Sequence, residues 1–161
     1  MSSNVDDEDK IEETPDCEAW REVKGDLFCC PVGVSLAHCI SADCRMGKGI
    51  ATHFKRRFGG VDELQAQVAA GKGVGSVAVL ARDGRFIYYL VTKTRYFDKP
   101  TYGSLRSSLE ELRAHCAAHA VRRLGMPRIG CGLDGLDWTR VAALIQEVFQ
   151  DTDVEITVYS L

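Results

Sequence analysis

Residues 103–134 read GSLRSSLEELRAHCAAHAVRRLGMPRIGCGLD. Leu105, Leu109, Leu112 and Cys116 stand at i, i+4, i+7 and i+11, one apolar stripe on a 3.6-residue period, which predicts a helix over Gly103–Ala120. The run Arg123–Ile129 then reads as a strand, and Gly130-Cys131-Gly132 as a turn. A second helix is predicted over Trp138–Gln150, with Val141, Ala142, Ile145, Val148 and Phe149 inward and Asp137 as its N-cap. Helix, strand, glycine turn and helix in succession are the grammar of a layered α/β fold.

The flanking sequence repeats that grammar. Val23–Phe28 and Ser35–Ile40 are predicted strands separated by Cys30-Pro31-Val32-Gly33. Helices follow over Gly47–Phe58, stopped by Gly59-Gly60, and around Asp62–Ala70, which runs into Gly71–Gly75. Ser76–Ala81 and Arg85–Val91 flank Arg82-Asp83-Gly84, a hairpin signal because Asp-Gly accepts the positive φ angles of a tight turn. Val154–Tyr159 is the last strand. The expected architecture is a single α/β domain over 20–161, three layers α/β/α around a central mixed sheet.

Composition sets outer limits. The chain has 161 residues, 45% hydrophobic and 27% charged, the balance of a folded soluble domain. No stretch approaches the ~20 unbroken apolar residues of a membrane helix, so no membrane association is expected. The first residues, MSSNVDDEDKIEET, lack an apolar core and are acidic where a signal peptide is basic. Seven cysteines, an odd number without a leader, fit reduced thiols better than a disulfide scaffold. Residues 1–18 carry eight acids against Lys10, while the remainder carries 15 acids and 19 bases. Residues 1–19 are therefore expected to be an acidic, disordered leader, and the body is mildly cationic.

Two glycine-rich turns stand where a strand gives way to a helix: Cys44-Arg45-Met46-Gly47-Lys48-Gly49-Ile50-Ala51 and Pro127-Arg128-Ile129-Gly130-Cys131-Gly132-Leu133-Asp134. Such turns expose backbone N–H groups at helix N-termini, which suits phosphate or diphosphate. Neither matches G-x-G-x-x-G or G-x-x-x-x-G-K-[ST], which disfavours a dinucleotide Rossmann site and a P-loop. Glycine in one such turn is more often plain backbone geometry. Two in one small chain point to an elongated diphosphate ligand.

Lys24-Gly25-Asp26-Leu27-Phe28, Ala37-His38-Cys39-Ile40-Ser41, Cys44-Arg45-Met46-Gly47, Tyr88-Tyr89-Leu90-Val91-Thr92-Lys93, Pro127–Asp134 and Thr157-Val158-Tyr159-Ser160-Leu161 together resemble a macrodomain. The resemblance runs from about Val23 to Leu161 and is to the terminal ADP-ribose–protein glycohydrolase branch. Other macrodomains carry an asparagine-rich stretch and a triple-glycine loop where this chain has His38-Cys39-Ile40-Ser41 and Met46-Gly47-Lys48-Gly49. The chain departs from the branch at Lys48, at Thr94 and Tyr96–Asp98, and in the longer Gly71–Gly75 loop.

The resemblance implies the following roles. Asp26 and Leu27 meet the adenine end of ADP-ribose. Ser41, Met46, Gly47, Gly49, Ile50 and Ala51 line the diphosphate and distal ribose. Arg128, Ile129, Gly130, Cys131, Gly132, Leu133 and Asp134 wrap the other side, and Leu161 closes on the adenosine half. Lys93 is the nucleophile and Asp134 the acid/base. The partners implied are ADP-ribose, O-acyl-ADP-ribose and mono- and poly-ADP-ribosylated proteins, with the protein a monomer, nuclear and also cytoplasmic. The implied reaction removes ADP-ribose from glutamate and aspartate side chains; the alternative is a binding-only reader of ADP-ribosylated proteins.

That bond is a reactive glycosyl ester, so its cleavage needs neither metal nor cofactor. A neutral lysine amine can attack the anomeric carbon, or the aldehyde of the opened ribose, giving a covalent sugar–lysine intermediate. At the ordinary lysine pKa of about 10.4 roughly one amine in 2,500 is neutral at pH 7, so the site has to supply a base, a cation or burial. Without the family pattern, Lys93 reads as a surface lysine at a strand end, Asp134 as a helix cap and Asp26 as a turn residue. Rival constellations are weaker. Cys29, Cys30, Cys39 and Cys44 with His38 form no C-x-x-C pair, which argues against zinc. Cys131 with His38 as base is the better rival. His53, His115 and His119 lack a matching partner on their helices, and Lys55-Arg56-Arg57 fits the charge preference of a helix C-terminus.

Overall fold

The computed structural model describes residues 19–161. Of the acidic leader expected over residues 1–19, residues 1–18 lie outside the described residues. Among the described residues six strands make one sheet: β1 (Trp20–Lys24), β2 (Ser35–Ser41), β3 (Ser76–Arg82), β4 (Arg85–Lys93), β5 (Arg123–Met126) and β6 (Glu155–Ser160). Four helices among the described residues accompany them: α1 (Ile50–Phe58), α2 (Val61–Ala69), α3 (Tyr102–Ala118) and α4 (Trp138–Phe149). The strand order is β1-β6-β5-β2-β4-β3. Every neighbouring pair is parallel except the β3–β4 hairpin, so the sheet is mixed as expected.

Helices cover both faces. In β4, Tyr88 and Leu90 join Leu105, Leu109, Leu112 and Cys116 of α3 and Val141, Ile145, Val148 and Phe149 of α4. The alternate residues Ile87, Tyr89 and Val91 join Phe54 and Phe58 of α1 and Leu64 of α2 on the other face. A strand buried on both faces needs an unbroken apolar run, which is what FIYYLV supplies. The predicted α3 stripe is entirely buried, and Asp137 caps α4 by accepting from the Arg140 N–H at 3.3 Å. Ala142 is only half-buried.

The boundaries shift for local reasons. The first strand spans Trp20–Lys24 rather than Val23–Phe28, because Asp26 accepts from the Phe28 N–H and starts a 3-10 turn over Leu27–Cys29. The helix predicted from Gly47 begins at Ile50, since Cys44, Met46 and Gly49 take φ of 57°, 46° and 61° and hold the preceding loop out of helical geometry. The strand predicted to Ile129 ends at Met126, where Pro127 has no N–H to continue a ladder. Gly132–Asp134, read as plain turn, is a short 3-10 helix.

Candidate functional site

Parallel β2, β4 and β5 end at one edge of the sheet, the edge where open α/β folds hold their ligands. A cleft of about 520 Å³ opens there. Both glycine turns line it, and Leu133 of the second reaches to 3.9 Å from where a Cβ on Gly49 of the first would stand. Gly49, Gly130 and Gly132 take φ of 61°, 76° and 67°, a region that favours glycine. Helix α1 has no side-chain N-cap, which leaves its first-turn amides at Ile50 and Ala51 available toward the cleft.

At the floor, Lys93 ends β4. A bulge between Ile40 and Ser41 pairs Ser41 with Lys93, and the Lys93 carbonyl accepts from the Ala42 N–H at 2.8 Å. Its Nζ donates to Asp134 Oδ1 at 2.7 Å, and the two side chains are 15% and 16% exposed. Asp134 sits on the 3-10 turn, whose Leu133 carbonyl accepts from Lys99 Nζ at 2.6 Å. Amine and carboxylate, 41 residues apart in sequence, thus share one hydrogen bond inside the cleft. An attacking amine has its proton acceptor in place.

Of the residues expected from sequence, the structure gathers Ser41, Met46, Gly47, Gly49, Ile50, Ala51, Lys93, Arg128, Ile129, Gly130, Cys131, Leu133 and Asp134 around this cleft. It does not bring Asp26, Leu27, Gly132 or Leu161 into the lining. Asp26 is exposed and caps its own 3-10 turn, Leu27 is buried against the Gly125 and Tyr159 region, and Leu161 is exposed after β6. All three nevertheless follow the C-terminal ends of β1 or β6, on the cleft's side of the sheet. Gly132 sits in the second turn, with open space where its Cβ would be.

The rival nucleophile does not assemble. The Cys131 thiol donates to the Ile129 carbonyl at 3.5 Å, and burial pushes its pKa up, away from thiolate. His38 is buried, stacked on Phe54 with centroids 3.7 Å apart, and neither ring nitrogen has a hydrogen-bond partner among the described residues. Burial lowers its pKa to about 3, so the imidazole is neutral at pH 7. Cys39, beside Asp134, is pushed up to about 12 by burial first and by that carboxylate second. Among the described residues no three His, Cys, Asp or Glu side chains gather as a metal-holding group.

The remaining candidates find local work. His115 and His119 stack on each other and pack edge-on to Phe86. His53 pairs with Arg56. In the basic run, Lys55 donates to the Arg45 carbonyl and Arg57 lies over the Phe28 ring.

Sequence reasoning missed the outer wall. Arg45, Tyr96, Phe97, Asp98 and Lys99 also line the cleft. Asp43 supports this wall from behind, accepting from Ser41 Oγ, from the Arg45 N–H at 3.1 Å and from the Tyr96 N–H at 2.8 Å. Those bonds hold its carboxyl below the ordinary range although burial opposes the shift. The signal was present: two aromatic residues in a short polar loop three positions after Lys93.

The chain is 58% identical to ADP-ribose glycohydrolase OARD1 of Homo sapiens over 151 residues, 94% of this chain and 97% of that protein. It is 61% identical to the Bos taurus protein of the same name over 139 residues, 86% of this chain and 90% of that protein. Among solved structures, the macrodomain of Thermus aquaticus DarG superposes with a TM-score of 0.79 at 28% identity, covering 88% of this chain and 98% of that one. A family model described as Macro domain matches residues 37–145. With that match and such relatives over nearly its whole length, the chain belongs to the macro domain family.

Proposed function

We propose that the protein is an ADP-ribose hydrolase that cuts the ester between ADP-ribose and glutamate or aspartate side chains, and also deacylates O-acyl-ADP-ribose. The observation that carries this reading is the 2.7 Å contact of Lys93 with Asp134 inside a cleft walled by two glycine turns. The names of the mammalian relatives support it at the level of ADP-ribose hydrolysis.

The chemistry proceeds in two stages. Asp134 takes a proton from the Lys93 ammonium, and the freed amine attacks the anomeric carbon. A C–N bond forms as the C–O bond to the acyl group breaks, and the side chain departs as a carboxylate. The ribose–lysine adduct opens to an imine, to which water adds with Asp134 handling the protons. The C–N bond then breaks, returning the lysine and free ADP-ribose. Backbone N–H groups of the two turns and the Arg128 guanidinium hold the diphosphate, so the ribose is presented to Lys93 in one orientation.

Incubation with glutamate-linked and serine-linked ADP-ribosylated protein, reading free ADP-ribose, tests the reading. Release from the glutamate-linked substrate alone is the expected result. Release from neither, with ADP-ribose still bound, would leave a reader.

A further inference from the structure

The outer wall of the cleft has a construction of its own. Tyr96 and Phe97 are 45% and 61% exposed and pack edge to face with centroids 5.3 Å apart. A guanidinium flanks each ring, Arg45 4.3 Å from the Tyr96 centroid and Arg95 5.8 Å from that of Phe97. Large apolar rings left in water beside a cleft mark a contact surface rather than packing.

The loop that carries them is fixed at three points. The Tyr96 N–H donates to Asp43, the Arg95 N–H donates to Asp98 Oδ2 at 2.9 Å, and Lys99 Nζ donates to the Leu133 carbonyl. The wall is therefore preorganised, and a partner meets it with little ordering cost.

Charge at the rim leans positive. Asp43 accepts from Ser41 Oγ and from two backbone N–H groups, Asp98 accepts from one, and Asp134 is paired with Lys93. Among the described residues Arg45, Lys48 and Arg95 have no carboxylate within 4.0 Å. Four cationic side chains, Arg45, Lys48, Arg95 and Lys99, thus stand against two carboxylates, Asp43 and Asp98, a net excess of positive charge at the rim.

We infer that this rim is the subsite for the leaving side of the substrate, and that it favours a modified glutamate or aspartate lying in an acidic polypeptide segment. The inference rests on the ester hydrolysis proposed above. The rim adjoins Lys93 and Asp134, the end of the cleft where the bond to the carboxylate breaks, so what projects past it is the polypeptide that carries the modified side chain. Acidic neighbours of that side chain meet Arg45, Lys48 and Arg95, while apolar parts of the segment lie on the two rings.

Calorimetry on the full chain tests this without turnover. The ligands are free ADP-ribose and two peptides carrying ADP-ribose on glutamine through an amide, which replaces the labile ester, one with acidic and one with neutral flanks. At low salt the acidic peptide is expected to bind about tenfold tighter than the other two ligands, and added salt to shrink the gain. Arg95→Gln and Phe97→Ala should each reduce that ratio to about threefold or less. Equal affinity for all three ligands, a gain independent of flanking charge, or a gain that survives both substitutions would overturn the inference. Tighter binding of a single-stranded oligonucleotide than of the acidic peptide would assign the rim to nucleic acid and also overturn it. Because the amide is not cut, a failure of ester turnover leaves this difference readable, so the two readings can fail separately.

Discussion

Lys93 and Asp134 touch in a partly buried cleft, so each substitution isolates one half of the chemistry. Lys93→Ala is expected to keep most ADP-ribose binding while kcat/KM for the glutamate ester falls by about 10³-fold or more, because a nucleophile acts on the reaction path rather than on ground-state binding. Asp134→Ala should slow turnover by about 10²–10⁴-fold. Solvent can replace Asp134 in deprotonating the amine once, whereas hydrolysis of the imine needs several ordered proton transfers. Release should therefore slow more than attack, and this variant should accumulate an adduct. Denaturing mass spectrometry would show the added ADP-ribose mass, and peptide mapping would place it on Lys93. Cys131→Ala should remain active, since that thiol is engaged with a backbone carbonyl and burial disfavours its thiolate. A dead Cys131→Ala beside an active Lys93→Ala would replace the lysine by the thiol.

Among the elements, the turn after β5 and helix α3 set the stage for those residues. Gly130 takes φ of 76°, and a Cβ there would stand 3.0 Å from Leu136 Cδ1, so Gly130→Ala should cost about 1–3 kcal/mol in chemical denaturation. Gly132 differs: nothing lies within 4 Å of its Cβ position, and only its φ of 67° opposes a side chain. Gly132→Glu should therefore fold with a penalty of about 1–2 kcal/mol and lose ADP-ribose affinity in calorimetry. Normal binding by that variant would count against placing the diphosphate on the turn. Helix α3 starts with a capping box, Thr101 Oγ1 accepting from the Ser104 N–H and Ser104 Oγ from the Thr101 N–H. Ser104 Oγ also donates to the Thr92 carbonyl at 2.7 Å, so the cap ties α3 to the strand end that carries Lys93. Thr101→Ala should cost about 0.5–2 kcal/mol of stability, measured by urea denaturation.

For the whole molecule, the buried imidazole of His38 makes stability depend on acidity. The unfolded chain takes up a proton at His38 below about pH 6.5, whereas the folded chain refuses it until about pH 3. Stability from this group is thus complete above pH 6.5 and declines as pH falls, by up to about 1.4 kcal/mol per pH unit for one proton. His115, also lowered by burial and by His119, acts in the same direction. Denaturation series between pH 7 and pH 4 should show this decline, and His38→Leu should flatten it by about one proton; an unchanged slope would mean that the ring protonates in the folded state. Much of the molecule was legible in the sequence because its causes are local. The period of Leu105, Leu109, Leu112 and Cys116, the Asp83-Gly84 turn, the Asp137 cap and the unbroken FIYYLV run each follow from geometry within a few residues. The two glycine turns were legible as turns for the same reason, and their family pattern pointed to one ligand. Only the tertiary structure decided what meets across the sheet. The approach of Lys93 to Asp134 depends on the parallel register of β2 with β4 and β5 and on the bulge at Ser41, which no local pattern encodes. The outer wall was missed because its bonds, from Tyr96 to Asp43 and from Lys99 to Leu133, join loops 53 and 34 residues apart. Side-chain periodicity fixes which face of an element is buried; which elements become neighbours is set by long-range pairing, where a one-residue change of register redirects every side chain.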